Sequence, residues 1–455
     1  MNTTFYTIKD EKAPYSILFH EPTSTFARIK DGELTLLSQD RLREMFPQLD
    51  ESEQVDKHLY AGKGRIGLTF MSSRTCNLNC RYCFAGEGEY GSVETKPKFY
   101  TAEAYEKAVK TAVKMYPEGV KSISFFGGEP LLNWKEIEKF VPRCVEYFNE
   151  IGLPVPQMAI STNMILMNRN IAEFMKKYHI NAVLSLDGPK KINDYARVSA
   201  DPNFSVYDKV VEKSRLLDEL GVKYAAQATF NKQVLKNFKK GDGVRYIEEL
   251  NKINWENMAI VPVETDIPDL SITEEDYPAL DALAREITNY YIDALCEGKK
   301  IKIASGIVAP ILQIAKNKHI RTCSSGHSVF CDTDGSIYPC QMFVNEDEYK
   351  LGDIENGWSK ARSEEISNIS RMESKECKEC IARNVCFMWC KGIQLQSNGD
   401  MYQICNPRCI FQKANTEECI KLLARIKAGD VDEDKFWENF KAVGDKLRED
   451  GFLHE

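Results

Sequence analysis

The sequence has no uninterrupted apolar stretch approaching the roughly 20 residues needed to cross a bilayer. Its first residues, Met1 to Phe19, scatter acidic and basic side chains where a signal peptide needs an apolar run. Excess positive charge is missing as well. The net charge is −8 and the pI near 5.6, so overall electrostatics give a nucleic-acid partner no support. Internal repeats and low-complexity tracts are also absent. The expectation is a cytoplasmic protein with no membrane and no nucleic-acid partner. With 43% hydrophobic and 28% charged residues over 455 positions, the chain is globular and too long for one ordinary core.

Cysteine is the residue in excess. The chain has 15, an odd number that full pairing cannot satisfy. A reducing cytosol disfavours structural disulfides, and a chain of this size does not need them. Metal or cluster ligation is therefore the first reading, and spacing has to decide it.

Residues 1–62 read as a small separate unit: a hairpin from Tyr15–Phe19 and Thr25–Ile29, then a helix near Gln39–Phe46, ended by the Gly62-Lys63-Gly64 break. Residues 63–300 alternate strand-like and helix-like segments. The strands fall at Ile66–Met71, Val120–Phe126, Met158–Ser161, Ala182–Leu186, Tyr224–Thr229 and Met258–Val263. The helices between and after them fall at Ala102–Met115, Trp134–Asn149, Asn170–Lys177, Val206–Leu220, Arg245–Leu250 and Leu280–Leu295. Six βα units imply a parallel sheet; an open partial barrel and a doubly wound sheet both fit that pattern. Residues 301–415 form a third unit. From Arg321 it has nine cysteines between Cys323 and Cys409 among short turns, too little apolar surface for a core without metal. Residues 416–455 read as helices, at Glu417–Arg425 and Asp432–Leu447.

The loop after the first strand reads Cys76-x3-Cys80-x2-Cys83, with Tyr82 before the last thiol. Three thiolates on one loop can hold three irons of a cubane and leave the fourth open to a small molecule. A zinc site, or a cluster with a distant fourth ligand, fits the spacing as well. Three further strand ends carry polar motifs. They are Gly127-Gly128-Glu129-Pro130, then Ser161-Thr162-Asn163, then Asp187-Gly188-Pro189 followed by Arg197. The glycines permit close backbone approach, and the Glu can accept from an ammonium. Together these residues resemble the radical S-adenosylmethionine (SAM) superfamily.

The resemblance implies an α/β fold, a partial (β/α)6 TIM-type barrel, and a [4Fe-4S] cluster on Cys76, Cys80 and Cys83 that binds S-adenosyl-L-methionine. Tyr82, Gly127, Gly128, Glu129, Ser161, Asn163, Asp187 and Arg197 would line the cofactor, with Glu129 on its amino group and Arg197 on its carboxylate. A helix N-cap for Asp187 and a surface ion pair for Arg197 are the ordinary alternatives.

The later cysteines run Cys323-x11-Gly335-x4-Cys340, then Cys377-x2-Cys380-x5-Cys386-x3-Cys390, then Cys405-x3-Cys409. This order resembles the SPASM domain, the twin-cluster extension of radical enzymes that modify peptides; a four-thiolate zinc ribbon is the alternative. The resemblance implies two further [4Fe-4S] clusters, three in all. Cys377, Cys380, Cys386 and Cys409 would hold the outer one, with Cys405 competing for the last place. Cys409 is preferred because a helix-like run follows it. Cys323, Cys340 and Cys390 would hold the inner one. Cys331 is its possible fourth ligand; without it, one iron is open to a substrate thiolate. Cys144, Cys296 and Cys419 match no motif and read as small buried hydrophobes.

The function implied is radical maturation of a ribosomally made, cysteine-containing precursor peptide, with thioether cross-links as product. Residues 1–62 resemble the winged-helix element that captures leader peptides, and could bind one along a strand edge. An external ferredoxin- or flavodoxin-type donor would supply electrons. The alternatives are a maturase forming carbon–carbon bonds, a sulfatase-type maturase, and a non-catalytic electron-transfer protein. The sulfatase type places an acidic base directly after the cysteine of Gly-x4-Cys; here that residue is Gln341.

Overall fold

The computed structural model describes residues 5–30, 45–46, 64–86, 88–91, 96–316, 326–404 and 406–451. All but the last two residues of the expected Gln39–Phe46 helix lie outside these, as do Gly62, Lys63, Cys323 and Cys405.

Six strands, β4 (Ile66–Ser73), β5 (Val120–Gly127), β6 (Gln157–Thr162), β7 (Ile180–Ser185), β8 (Tyr224–Phe230) and β9 (Asn257–Pro262), pair in parallel and in sequence order. That order excludes the doubly wound alternative, in which strand order reverses at a switch point. The strands are joined by amphipathic helices whose ends have local causes. Ala102–Met115 begins where Thr101 accepts from the Ala104 N–H, and buries Tyr105, Ala108, Val109 and Ala112, one stripe at helical spacing. Val206–Leu220 is capped by Ser205 and stops at Gly221, which takes the left-handed φ of 66°. Phe70 on β4 packs against Tyr100, Tyr105 and Phe140, with ring centroids 5.3, 4.9 and 6.3 Å away.

The sheet does not stop at β4. Strand β10 (Ser328–Cys331) pairs in parallel with it, and β11 (Ser336–Tyr338), β12 (Gly352–Asp353) and β13 (Gly357–Trp358) follow antiparallel, giving ten strands ordered β13-β12-β11-β10-β4-β5-β6-β7-β8-β9. The cysteine-rich segment was expected to lack a core of its own. It borrows one: Val329, Phe330, Ile337, Tyr338 and Phe343 are buried against the six-stranded sheet.

Three local expectations need correction. The N-terminal hairpin is a three-stranded antiparallel sheet of β1 (Phe5–Lys9), β2 (Ser16–His20) and β3 (Thr25–Ile29). A helix at Ser305–Ala315, apolar on most faces and containing Pro310, was not anticipated. The first C-terminal helix runs unbroken over Asn406–Ala428 rather than starting at Glu417. Among the described residues no helix is long and apolar enough to cross a membrane.

Candidate active site

The three-cysteine loop leaves β4 at Ser73 and is fastened by its own backbone. The Gly128 N–H donates to Ser73 O (2.8 Å) and the Glu129 N–H to Thr75 O (2.9 Å). A Cβ on Gly127 would lie 2.3 Å from Ser73 O, and one on Gly128 2.3 Å from Thr75 O. The glycine pair is therefore required by the cysteine loop itself, before any ligand arrives. On the far side the Asn79 N–H donates to Val198 O and the Arg81 N–H to Ala196 O, both at 2.8 Å. Leu78, on the same loop, is buried in the core.

Glu129 is buried at the end of β5. Its Oε1 accepts from the Leu131 N–H (3.0 Å) and Thr162 Oγ1 (2.7 Å), and its Oε2 from the Asn163 N–H (2.8 Å). Burial pushes its pKa up to about 7 against these three donors. Asn163 Nδ2 donates to Asn77 Oδ1 (2.8 Å) and approaches Cys76 Sγ at 3.6 Å, carrying the network into the cysteine loop. Ser161, the other residue expected on β6, is half-buried; the hydroxyl that joins this network is that of Thr162, the middle residue of the Ser161-Thr162-Asn163 motif, which is not among the residues expected to line the cofactor.

Asp187, fully buried at the end of β7, takes a two-pronged ion pair from Arg197: Nε to Oδ2 and Nη2 to Oδ1, both at 3.0 Å. It also accepts from Tyr82 Oη and from the Thr229 N–H (3.1 Å). Asp187 is not an N-cap, since the helix Lys190–Ala196 begins at Pro189 without a side-chain cap. Nor is Arg197 on the surface: it is 9% exposed, its guanidinium 5.5 Å from the Tyr82 ring. Burial opposes its charge, but Asp187, Tyr82 and Cys80 more than offset that and hold its pKa well up.

Burial pushes the Cys76 thiol up to about 12, with Glu129, Cys80 and Cys83 adding and a Leu78 backbone hydrogen bond opposing. Cys80 moves up too, through burial first, with Arg197 opposing. The three thiols are thus mutual neighbours whose ionised forms repel, a donor set that needs a positive partner to become thiolate.

A second group of thiols lies in the C-terminal part. Cys377, Cys380, Cys386 and Cys409 line one cavity, together with the cations Arg371, Arg383, Arg408 and Lys413. Burial pushes Cys380 up to about 11, with the Ala382 N–H, 3.4 Å from its sulfur, opposing. Cys409 stands in the first turn of Asn406–Ala428, where the helix N-terminus favours thiolate. Burial and the other three thiols outweigh this and push it up. Cys340 and Cys390 each precede a short helix, Gln341–Phe343 and Lys391–Asn398, and a Cβ on Gly392 would come 2.4 Å from Met342 Cβ where these helices touch. Cys331 is set differently: it pairs in register with Phe70, is fully buried, and burial pushes its thiol up.

The N-terminal sheet sits on the loop of the second thiol group. Glu21, 1% exposed, pairs with Arg383 Nε at 3.0 Å, and Asn384 Nδ2 donates to Glu21 O at 3.0 Å. Tyr6 Oη donates to Glu379 O.

A family model of the radical SAM superfamily matches residues 70–231. Among curated proteins, the radical SAM cyclopropyl synthase TigE of Paramaledivibacter caminithermalis is 24% identical over 410 residues, covering 85% of this chain and 80% of that one. A cysteine-type anaerobic sulfatase-maturating enzyme of Clostridium novyi is 26% identical over 341 residues, covering 70% and 86%. Among solved structures, anSMEcpe with bound AdoMet superposes with a TM-score of 0.68 at 20% identity, covering 86% of this chain and all of that one. Streptococcus suis SuiB bound to S-adenosylmethionine gives 0.52 at 16%, covering 88% and 99%. These two share the fold. The match to the radical SAM family model spans residues 70–231, where the cysteine loop, Gly127-Gly128-Glu129, Thr162-Asn163 and Asp187–Arg197 meet at neighbouring strand ends.

Proposed function

We propose that this chain is a radical SAM peptide maturase that joins a cysteine sulfur of a ribosomally made precursor to one of its carbons. The observation that carries the reading is the three-thiol loop backed by Glu129, Asn163 and the Asp187–Arg197 pair. Among the described residues no three His, Cys, Asp or Glu side chains gather tightly enough for a single metal ion.

In this reading Cys76, Cys80 and Cys83 hold the first [4Fe-4S] cluster, and Glu129, Arg197, Ser161, Asn163, Tyr82, Gly127 and Gly128 line the bound S-adenosylmethionine. The pair, when reduced, supplies a 5′-deoxyadenosyl radical and methionine. Glu129 accepts from the ammonium end, and Arg197, oriented by Asp187, presents its remaining N–H groups to the carboxylate. Cys377, Cys380, Cys386 and Cys409 hold the outer auxiliary cluster, with four cations around its negative charge. Cys323, Cys340 and Cys390 hold the inner one. The placement of Cys331 beside Phe70, within the sheet core, supports three protein thiolates there and a position for a substrate thiolate.

Residues 1–62 would serve as the leader-binding unit, 63–300 as the barrel, 301–415 as the auxiliary-cluster domain and 416–455 as closing helices. Strand β1 stands at one edge of its sheet with no strand on its outer side among the described residues, an edge that a peptide strand would extend. A ferredoxin- or flavodoxin-type protein would deliver the electron. The sulfatase-type alternative gains from the Clostridium relatives, but Gln341, where a carboxylate base is needed, weighs against it. The test is the mass of a cysteine-containing precursor peptide after anaerobic turnover. Loss of two hydrogens per bond with one fewer alkylatable thiol each time is expected. An unchanged thiol count removes thioether formation.

Glu129 gives the binding step a pH dependence. Its folded pKa lies near 7 against an ordinary 4.5. The folded chain therefore keeps a proton that the unfolded chain loses, and stability falls as pH rises through that window, by about 3 kcal/mol in total. An ammonium ligand needs the ionised form, so affinity for S-adenosylmethionine should rise about fivefold between pH 6 and 7, about twofold more above pH 7, and then level off. Equilibrium dialysis against pH checks this, and Glu129→Gln should flatten the profile. A flat profile in the unaltered chain would contradict the assigned role.

A further inference from the structure

The loop that follows Cys83 contains one feature that the proposed chemistry has not used. Tyr90 is 8% exposed, and its hydroxyl is buried with no hydrogen-bond partner among the described residues. Leaving such a group unpaired costs about 1–3 kcal/mol. Its backbone is held at φ 52°, the left-handed region that an aromatic residue seldom adopts. Neighbouring groups hold it there: the Tyr90 N–H donates to Ala85 O (2.8 Å), Asn345 Nδ2 donates to Tyr90 O, and Arg74 Nη1 donates to Glu89 O (3.0 Å). Asn345, five residues past Cys340, has positive φ too, at 69°. The Tyr90 ring meets Phe84 edge-on at 5.6 Å, and Phe84 directly follows Cys83. Backbone strain on both sides of the contact thus fixes a buried phenol between the first cysteine loop and the Cys340 turn.

The surrounding groups narrow the choice of acceptor. Burial raises the phenol's pKa most, followed by Cys83; Asp332 and Cys340 add less, and Arg74 opposes. Asp332 is already saturated by Arg74 and Lys96. The turn that carries Tyr90 is itself closed on Cys83, whose carbonyl accepts from the Gly86 N–H (3.1 Å) while Ala85 O accepts from Tyr90, so Cys83 is the thiol of the phenol's own turn and the acceptor that remains.

We propose that Tyr90 is a positioning residue whose hydroxyl donates a hydrogen bond to the Cys83 thiolate of the cluster-loaded protein and so raises the reduction potential of the first cluster. This rests on the assignment of Cys76, Cys80 and Cys83 as cluster ligands. Hydrogen bonds to ligand sulfur stabilise the more negative, reduced state. Removing the donor must lower the potential without touching the ligands.

The experiment uses the full chain, reconstituted anaerobically and titrated while its paramagnetic signals are followed. The first cluster is identified as the signal that changes when S-adenosylmethionine is added; no such signal would refute the underlying ligand assignment rather than the hydrogen bond. In Tyr90→Phe, with iron content unchanged, the midpoint of that signal should move to more negative potential while the auxiliary signals stay where they are. An unmoved first midpoint, or a shift confined to an auxiliary cluster, overturns the proposal. Should Tyr90→Phe lose iron, 3-fluorotyrosine at position 90 decides instead. It is a stronger donor in the same ring and must move the first midpoint to less negative potential; no movement, or the opposite one, overturns the proposal.

Discussion

Replacing Cys76, Cys80 and Cys83 together by alanine should abolish 5′-deoxyadenosine formation while the protein keeps its fold and about two thirds of its cluster iron. The loss should be complete because, in the proposed reading, these three thiolates are the ligands of the cluster that binds the cofactor. The fold should survive because the loop's fastenings are not its thiols. The Gly128 and Glu129 N–H groups bind Ser73 and Thr75 carbonyls, Asn79 and Arg81 bind Val198 and Ala196, and Leu78 fills the core. Alanine leaves all of these in place. Iron analysis, thermal unfolding and chromatography of the nucleoside after reduction separate the three expectations. Turnover retained in the triple variant would remove the radical assignment. Iron lost in full would remove the two auxiliary clusters instead.

The strands and helices of the six-stranded parallel unit were legible because each carries a strong local pattern. Val206–Leu220, for example, has Ser205 before it and Gly221 after it, and the expected and observed ends coincide. The motif residues at the strand ends were legible for a related reason: glycine pairs and short polar runs are unusual directly after apolar strands. Burial direction and partner choice were not legible. Thr162 lies between two residues that were singled out, and only the register of β6 turns its hydroxyl to Glu129. Strand β10 is four residues long, too short for alternation to mark it, and its place beside β4 comes from pairing across some 260 positions of sequence. Ser305–Ala315 is apolar on most faces, so it gives no helical period to read, and Pro310 argues locally against a helix. The Glu21–Arg383 pair joins positions that share no pattern at all. The same holds for Arg74 and Asp332, which sit beside motif residues but find each other only when β10 is laid on β4.

That pair leads to the second large effect: Asp332→Ala should destabilise the protein by about 3–5 kcal/mol. Asp332 is fully buried just past β10 and accepts from Arg74 Nε (2.9 Å), Arg74 Nη2 (2.6 Å) and Lys96 Nζ (2.6 Å). Removing it leaves a guanidinium whose side chain is 4% exposed without its counter-charge, and a buried ion without a partner costs far more than the intact pair gains. Lys96 is less affected because Asp334 lies 3.1 Å from its Nζ. Arg74 keeps only neutral acceptors, Glu89 O and Asn345 Oδ1. Unfolding should therefore move to markedly lower denaturant or temperature in Asp332→Ala, and much less in Lys96→Met. The double variant Arg74→Met/Asp332→Leu should recover most of the loss, since two apolar side chains of similar volume need no counter-charge. A loss below about 1 kcal/mol in Asp332→Ala would mean that water reaches the guanidinium and that the pair behaves as a surface one. Because Arg74 lies two residues before Cys76 and Asp332 lies on the strand hairpin that ends at Cys340, the same cycle measures how firmly the Cys76 loop and the Cys340 turn are held at a fixed separation.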